Sequence, residues 1–145
     1  METDRLAVVV ELAENAERQA AQNLGTAQAR LGEAQARLAS LEAYLSEYSQ
    51  RPERTTDTRL RALSETQRFL VQLERSVATQ SRIVTQEDSL VQQARAHWLS
   101  TRLKLDAMRK LVDERREAAH RHREQVEQQR LDDQPGRRKP NSASG

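Results

Sequence analysis

The sequence predicts an all-α protein: a two-helix antiparallel coiled-coil hairpin whose second helix is longer and overhangs the first. Three observations predict it. Gly and Pro together total seven of 145 residues, leaving few breaks for strands and turns. Charged residues make up 32% of the chain and aromatic residues only 3%, a balance typical of long helices rather than of sandwiches, barrels or parallel sheets. Apolar residues then recur every seven positions along both halves, the period of a left-handed coiled coil.

Helix one is expected over residues 4–50. Its repeat is carried by Leu24, Leu31, Leu38 and Leu45, with Ala27, Ala34, Leu41 and Tyr48 three residues after each. The frame extends back through Ala20, Ala13 and Val10 and is interrupted at Glu17. Ala at four of these positions makes the seam thin, because a buried Leu contributes about 1.5–3 kcal/mol and Ala much less. Gly25 and Gly32 lie beside the seam, one heptad apart. Each costs up to about 1 kcal/mol relative to Ala inside a helix. Either they permit a close backbone approach, or they soften the helix.

A loop is expected over residues 51–57, around Pro52, which lacks an amide proton and disfavours helix at the residue before it. Asp57 or a neighbouring Thr can cap the helix that follows. Helix two is expected over 58–132. Leu63, Leu70, Val77, Val84, Val91, Trp98, Leu105, Val112, Ala119 and Val126 fill ten successive heptad positions, all apolar. The companion row is mixed, with Leu73, Gln80, Glu87, Thr101, Met108 and Arg115 among its members. A third apolar row, Phe69, Ile83, Leu90 and Leu111, runs just before the first. Pro135 and Gly136 end the helix, and residues 134–145 read as a disordered basic tail.

A short loop makes the two helices antiparallel neighbours. At 1.5 Å per residue the first helix spans roughly 70 Å and the second roughly 110 Å, an overhang of about 40 Å. With Tyr48 opposite Leu60, Val10 falls near Trp98, and everything beyond about residue 103 lacks an internal partner. The seam nevertheless continues through Leu105, Val112, Ala119 and Val126, and an uncovered apolar stripe calls for another chain.

Charge is distributed unevenly. Residues 1–50 carry 4 basic and 8 acidic groups, a net of −4, whereas residues 101–145 carry 12 and 8, a net of +4. The basic stretch holds Arg109, Arg115, Arg116, Arg121 and Arg123, but Asp113, Glu114, Glu117 and Glu124 are interleaved with them. That interleaving argues against nucleic acid as the partner. The chain has no Cys, so disulfides, thiol catalysis and Cys-bound zinc are excluded. His120 and His122 point about 200° apart on a helix and form no metal pair. There is no Gly-rich phosphate loop and no Ser-His-Asp pattern, so neither an enzyme nor a cofactor is expected. The N-terminus is acidic where a signal peptide is basic, and the apolar run Leu6–Val10 is far short of the about 20 residues of a membrane span. The expectation is a cytoplasmic protein without direct membrane insertion.

Four aromatic residues remain, and three converge near the loop: Tyr44, Tyr48 and Phe69, with Leu41, Leu70 and Leu73 around them. A plug closing the hairpin explains Leu41, Tyr48, Leu70 and Leu73. Tyr44 and Phe69 sit beside the seam rather than in it, which also suits a partner-binding patch, since aromatic residues are enriched at interfaces.

These landmarks resemble the FliJ family of the flagellar type III export apparatus. The matching pieces are Leu6-Ala7-Val8-Val9-Val10-Glu11-Leu12-Ala13-Glu14, Leu41-Glu42-Ala43-Tyr44-Leu45-Ser46-Glu47-Tyr48, Phe69-Leu70-Val71-Gln72-Leu73-Glu74, His97-Trp98 with Lys104, Leu105 and Leu111, and Glu127-Gln128-Gln129-Arg130-Leu131-Asp132-Asp133. They span residues 5–133. The resemblance implies a stalk like the two-helix coiled coil of the rotary ATP synthase γ subunit. Such a stalk is a monomer when free, enters the pore of the hexameric export ATPase, FliI, and promotes its assembly. It also contacts the export gate protein FlhA and escorts export chaperones at the inner-membrane base of the flagellum. The gate-contact positions implied are Leu41, Tyr44, Tyr48, Phe69 and Leu73, while Arg37, Ser76 and Gln80 depart from the family pattern. The ATPase-facing positions implied lie at the other end: Leu105, Arg109, Val112, Arg115, Arg116, Arg121 and Arg123. The equivalent stalk of a virulence injectisome and a generic coiled-coil scaffold share the same hairpin physics.

Overall fold

A computed structural model describes residues 2–50 and 60–134. Two helices account for all of these but Asp133 and Gln134: α1, Glu2–Gln50, and α2, Leu60–Asp132. The expected loop over 51–57 and nearly all of the expected tail over 134–145 lie outside the described residues. Neither helix contains a Pro, and Ala, Leu, Gln, Glu and Arg, the strongest helix formers, fill the interiors. Thr26, Ser49, Thr66 and Thr85, weaker formers, donate their hydroxyls to carbonyls four residues back, so these polar groups are satisfied within the helix. α2 closes with the Asp133 amide donating to the Gln129 carbonyl at 2.9 Å, immediately before Pro135 makes further helix unfavourable.

The helices pack as two compact units, Arg18–Ser100 (the central unit) and Met1–Glu17 with Thr101–Gly145 (the terminal unit). In the central unit they run antiparallel: Tyr48 meets Phe69, and Gln80 meets Ala34 further back along α1. The main predicted rows are the covered ones, whereas Phe69, Ile83 and Leu90 of the third row are exposed. On α1, Ala20 and Ala34 are buried, and Leu24, Ala27, Leu31, Leu38, Leu41, Leu45 and Tyr48 are half-buried. On α2, Leu73 and Val91 are buried, with Leu63, Leu70, Val77, Val84 and Trp98 half-buried. Between Leu73 and Ala94 the companion row stays inside despite its polarity. Gln80 is buried and its Nε2 donates to the Ala34 carbonyl at 3.0 Å. Glu87 is half-buried, and its Oε2 is shut off from solvent with no hydrogen-bond partner among the described residues. The small Ala row of α1 leaves the width that these polar side chains occupy.

Gly25 and Gly32 are both exposed, and a Cβ built on either meets nothing within 4 Å. Close approach is therefore not what they provide, which leaves softening of the helix.

In the terminal unit, Leu105 is 1% exposed and Val112 7%, with Thr101 also buried and Met108 and Leu111 half-buried. Leu6, Val10, Ala13, Glu14 and Glu17 of α1 are half-buried. From Asp113 to Arg130 every residue of α2 is exposed.

This burial corrects the expected register. Tyr48 packs on Phe69, nine residues beyond Leu60, and Val10 shares a groove with Val112. Leu105, Arg109 and Val112 therefore belong to the paired part of α2, not to an overhang starting near residue 103. The reason is physical in each unit by itself: in the central unit three aromatic rings pack together, and in the terminal unit Ala7 and Val10 of α1 lie beside Val112. The stretch without internal cover starts only after Val112, with Ala119 and Val126 still on its surface.

Candidate partner-binding site

In the central unit the five residues expected at the gate-contact patch fall into two kinds. Leu73 is buried, and Leu41 and Tyr48 are half-buried, so these three serve the seam. Tyr44 and Phe69 remain 44% and 38% exposed. The rings nevertheless form one cluster. Tyr44 and Tyr48, one turn apart on α1, have centroids 5.0 Å apart. Phe69 of α2 lies 4.8 Å from Tyr48 and 6.3 Å from Tyr44, edge-on to the latter. Such tilted and edge-to-face pairs are favourable beyond their area burial. Tyr48 thus anchors a platform whose outer faces, Tyr44 and Phe69, are presented to solvent. The cluster is core below and apolar surface above. Beside it Leu41 lines a shallow groove with Ala36, Arg37, Ser40 and Gln80. The buried amide of Gln80 makes this position a structural one.

In the terminal unit the second set divides similarly. Leu105 and Val112 are core. Arg109 reaches from α2 to Glu14 of α1 at 3.5 Å, both side chains partly exposed. Arg116 lies on the rim of a groove of about 340 Å³ whose apolar floor is Ala7, Val10 and Val112 and whose polar walls include Glu14, Arg109 and Asp113. Arg115, Arg121 and Arg123 are exposed on the stretch beyond. Arg116, Arg121 and Arg123 make no ion pair among the described residues. Sequence reasoning missed Ala7, Val10 and Glu14 as neighbours of these arginines. Their signal was the four-residue step from the seam residue Val10 to the flanking Glu14.

Among the described residues no group of His, Asp and Glu is arranged to hold a metal ion. His120 pairs with Glu124 at 3.1 Å, both on the open surface. No helix among the described residues is long and apolar enough to cross a membrane.

Comparison with curated proteins and with solved structures returned no match. The family model described as flagellar FliJ protein matches residues 1–141, nearly the whole chain. A match of that extent, on a chain of two long antiparallel helices, leads to one assignment: the chain belongs to the FliJ family, a component of the flagellar type III export apparatus.

Proposed function

We propose that the protein is the central stalk of the flagellar export ATPase, binding the hexamer and promoting its assembly and activity without catalysis of its own. The observation that carries this is the run Asp113–Arg130, continuous helix and exposed at every residue. With every side chain of that stretch open to solvent, it is suited to being held in a protein pore. Arg115, Arg116, Arg121 and Arg123 then face acidic groups of the ATPase, with Leu105 and Val112 holding the root of this segment in the seam and Arg109 tied to Glu14. At the other contact, the Tyr44 and Phe69 faces, supported by Leu41, Tyr48 and Leu73, dock the export gate protein. Export chaperones are further partners, and the protein works in the cytoplasm, peripherally at the inner-membrane base of the flagellum.

The test is ATP hydrolysis by the cognate flagellar export ATPase titrated with this protein, run in parallel on an injectisome ATPase. Saturable stimulation of the flagellar enzyme alone is expected, and it is lost in R116E/R121E/R123E with helicity unchanged. Stimulation of the injectisome enzyme alone moves the protein to that system, and no effect on either contradicts the stalk reading.

A further inference from the structure

The arginines of α2 are not scattered. Arg102, Arg109, Arg116, Arg123 and Arg130 stand at five successive seven-residue intervals, about 10.5 Å apart along the helix. Each lies three residues before or four residues after a position of the apolar row Leu105, Val112, Ala119 and Val126, so in a supercoil this column flanks the seam on one side. Side chains at that flank set partner choice and orientation in coiled coils through pairs across the interface.

One member of the column shows what it takes. Arg109 reaches Glu14 of α1, and Glu14 stands four residues after Val10, which lies with Val112 in the floor of the adjoining groove. The internal partner therefore offers a seam residue and, four positions on, a carboxylate. Arg102 instead pairs within its own helix, with Asp106 at 3.6 Å. Beyond Val112 the same column and the same apolar row continue on a stretch whose side chains are all exposed: Arg116, Arg123 and Arg130 have no ion-pair partner among the described residues, and Val126 is 47% exposed.

We propose that the end of α2 beyond Val112 binds an acidic helix, antiparallel to it, which repeats every seven residues the spacing that α1 shows once at Val10 and Glu14. Small or β-branched residues of that helix cover Ala119 and Val126, and its carboxylates meet Arg116, Arg123 and Arg130 in turn. Charge complementarity along one column gives the register, and the seam gives the contact area. The inference rests on the reading that this end of the chain is held by a partner, and it names the chemistry of what holds it.

The test uses the full chain and a synthetic four-heptad helical peptide with Val and Ala at its seam positions, as α1 has at Val10 and Ala13, and Glu four residues after each Val. Two further peptides carry Lys in place of each Glu, or the same Glu residues moved to the outward face. Binding is read by fluorescence anisotropy. The Glu peptide is expected to bind about tenfold or more tightly than either other peptide, the sum of several modest pairs. R116E/R123E is expected to reverse the preference toward the Lys peptide, and K104E/K110E, with the same change of net charge off the column, to leave it intact. Equal binding of the inward and outward Glu peptides, equal loss in K104E/K110E, or no binding of any peptide overturns the inference. Circular dichroism of each variant separates these outcomes from loss of helix. The two readings fail separately. Recognition of the Glu peptide without stimulation of any ATPase removes the stalk reading alone. Stimulation by R116E/R123E equal to that of the unaltered chain removes the inference alone.

Discussion

Gly25 and Gly32 illustrate how much depends on what a side chain would meet. Both lie on the solvent side of α1, and an added methyl group touches nothing within 4 Å at either. Neither has a positive φ. Gly25→Ala and Gly32→Ala are therefore expected to stabilise the hairpin, by up to about 1 kcal/mol each from helix propensity alone. Thermal melts followed by circular dichroism check this, and a lower melting temperature in either variant contradicts it. At this scale the sequence was legible where the period decides the outcome: the rows through Leu24 and through Leu63 and Val91 are the covered rows. It was less legible where chemistry and pattern conflict. Gln80 and Glu87 fall on seam positions that favour apolar side chains, and the structure keeps both at least half-buried, Gln80 with a hydrogen bond to Ala34. The exposed faces of Tyr44 and Phe69 were readable from their positions one step off the seam; the stacking on Tyr48 that supports them required the register.

Register is the property of the elements that periodicity does not determine. Sliding one helix by a heptad past the other leaves every apolar residue facing an apolar row, so the pattern alone is consistent with several pairings. Residues without a counterpart one heptad away break that degeneracy, and in the central unit these include the rings of Tyr44, Tyr48 and Phe69 and the buried Gln80 amide. The observed pairing moves Leu105 and Val112 from an imagined overhang into the core of the terminal unit. A direct consequence separates the two registers. Leu105→Ala is expected to cost about 2–5 kcal/mol, as for a fully buried leucine that leaves a cavity, whereas Val126→Ala, on the open stretch, is expected to stay within about 0.5 kcal/mol. Denaturant unfolding of the two variants measures both. Equal, small effects would mean that Leu105 is not covered by α1. The Arg109–Glu14 pair, partly exposed on both sides, adds little to this stability; its value lies in showing which flank of α2 expects a carboxylate.

For the whole molecule, the distribution of packing separates structure from function. Covered rows hold the central unit and the root of the terminal unit, and the remaining length of α2 contributes nothing to that cover. Composition and period made the all-helical hairpin legible, and the landmarks from Leu6 to Asp133 made the family legible, a membership that the match over residues 1–141 establishes. The column Arg102, Arg109, Arg116, Arg123 and Arg130 is equally present in the sequence, but it acquires meaning only when one of its members is seen to meet Glu14. The central claim is that the free end of α2 is the part built to be held. Helix segments with few buried contacts open at low free energy and exchange their amide hydrogens readily. The most direct measurement is amide hydrogen exchange along the chain, alone and with the flagellar export ATPase. The account predicts fast exchange over 113–131 in the free protein, slow exchange around Val91 and Leu105, and strong protection of 113–131 when the ATPase is added. Protection of that stretch already in the free protein, or exchange there unchanged by an ATPase whose hydrolysis the protein stimulates, would contradict it.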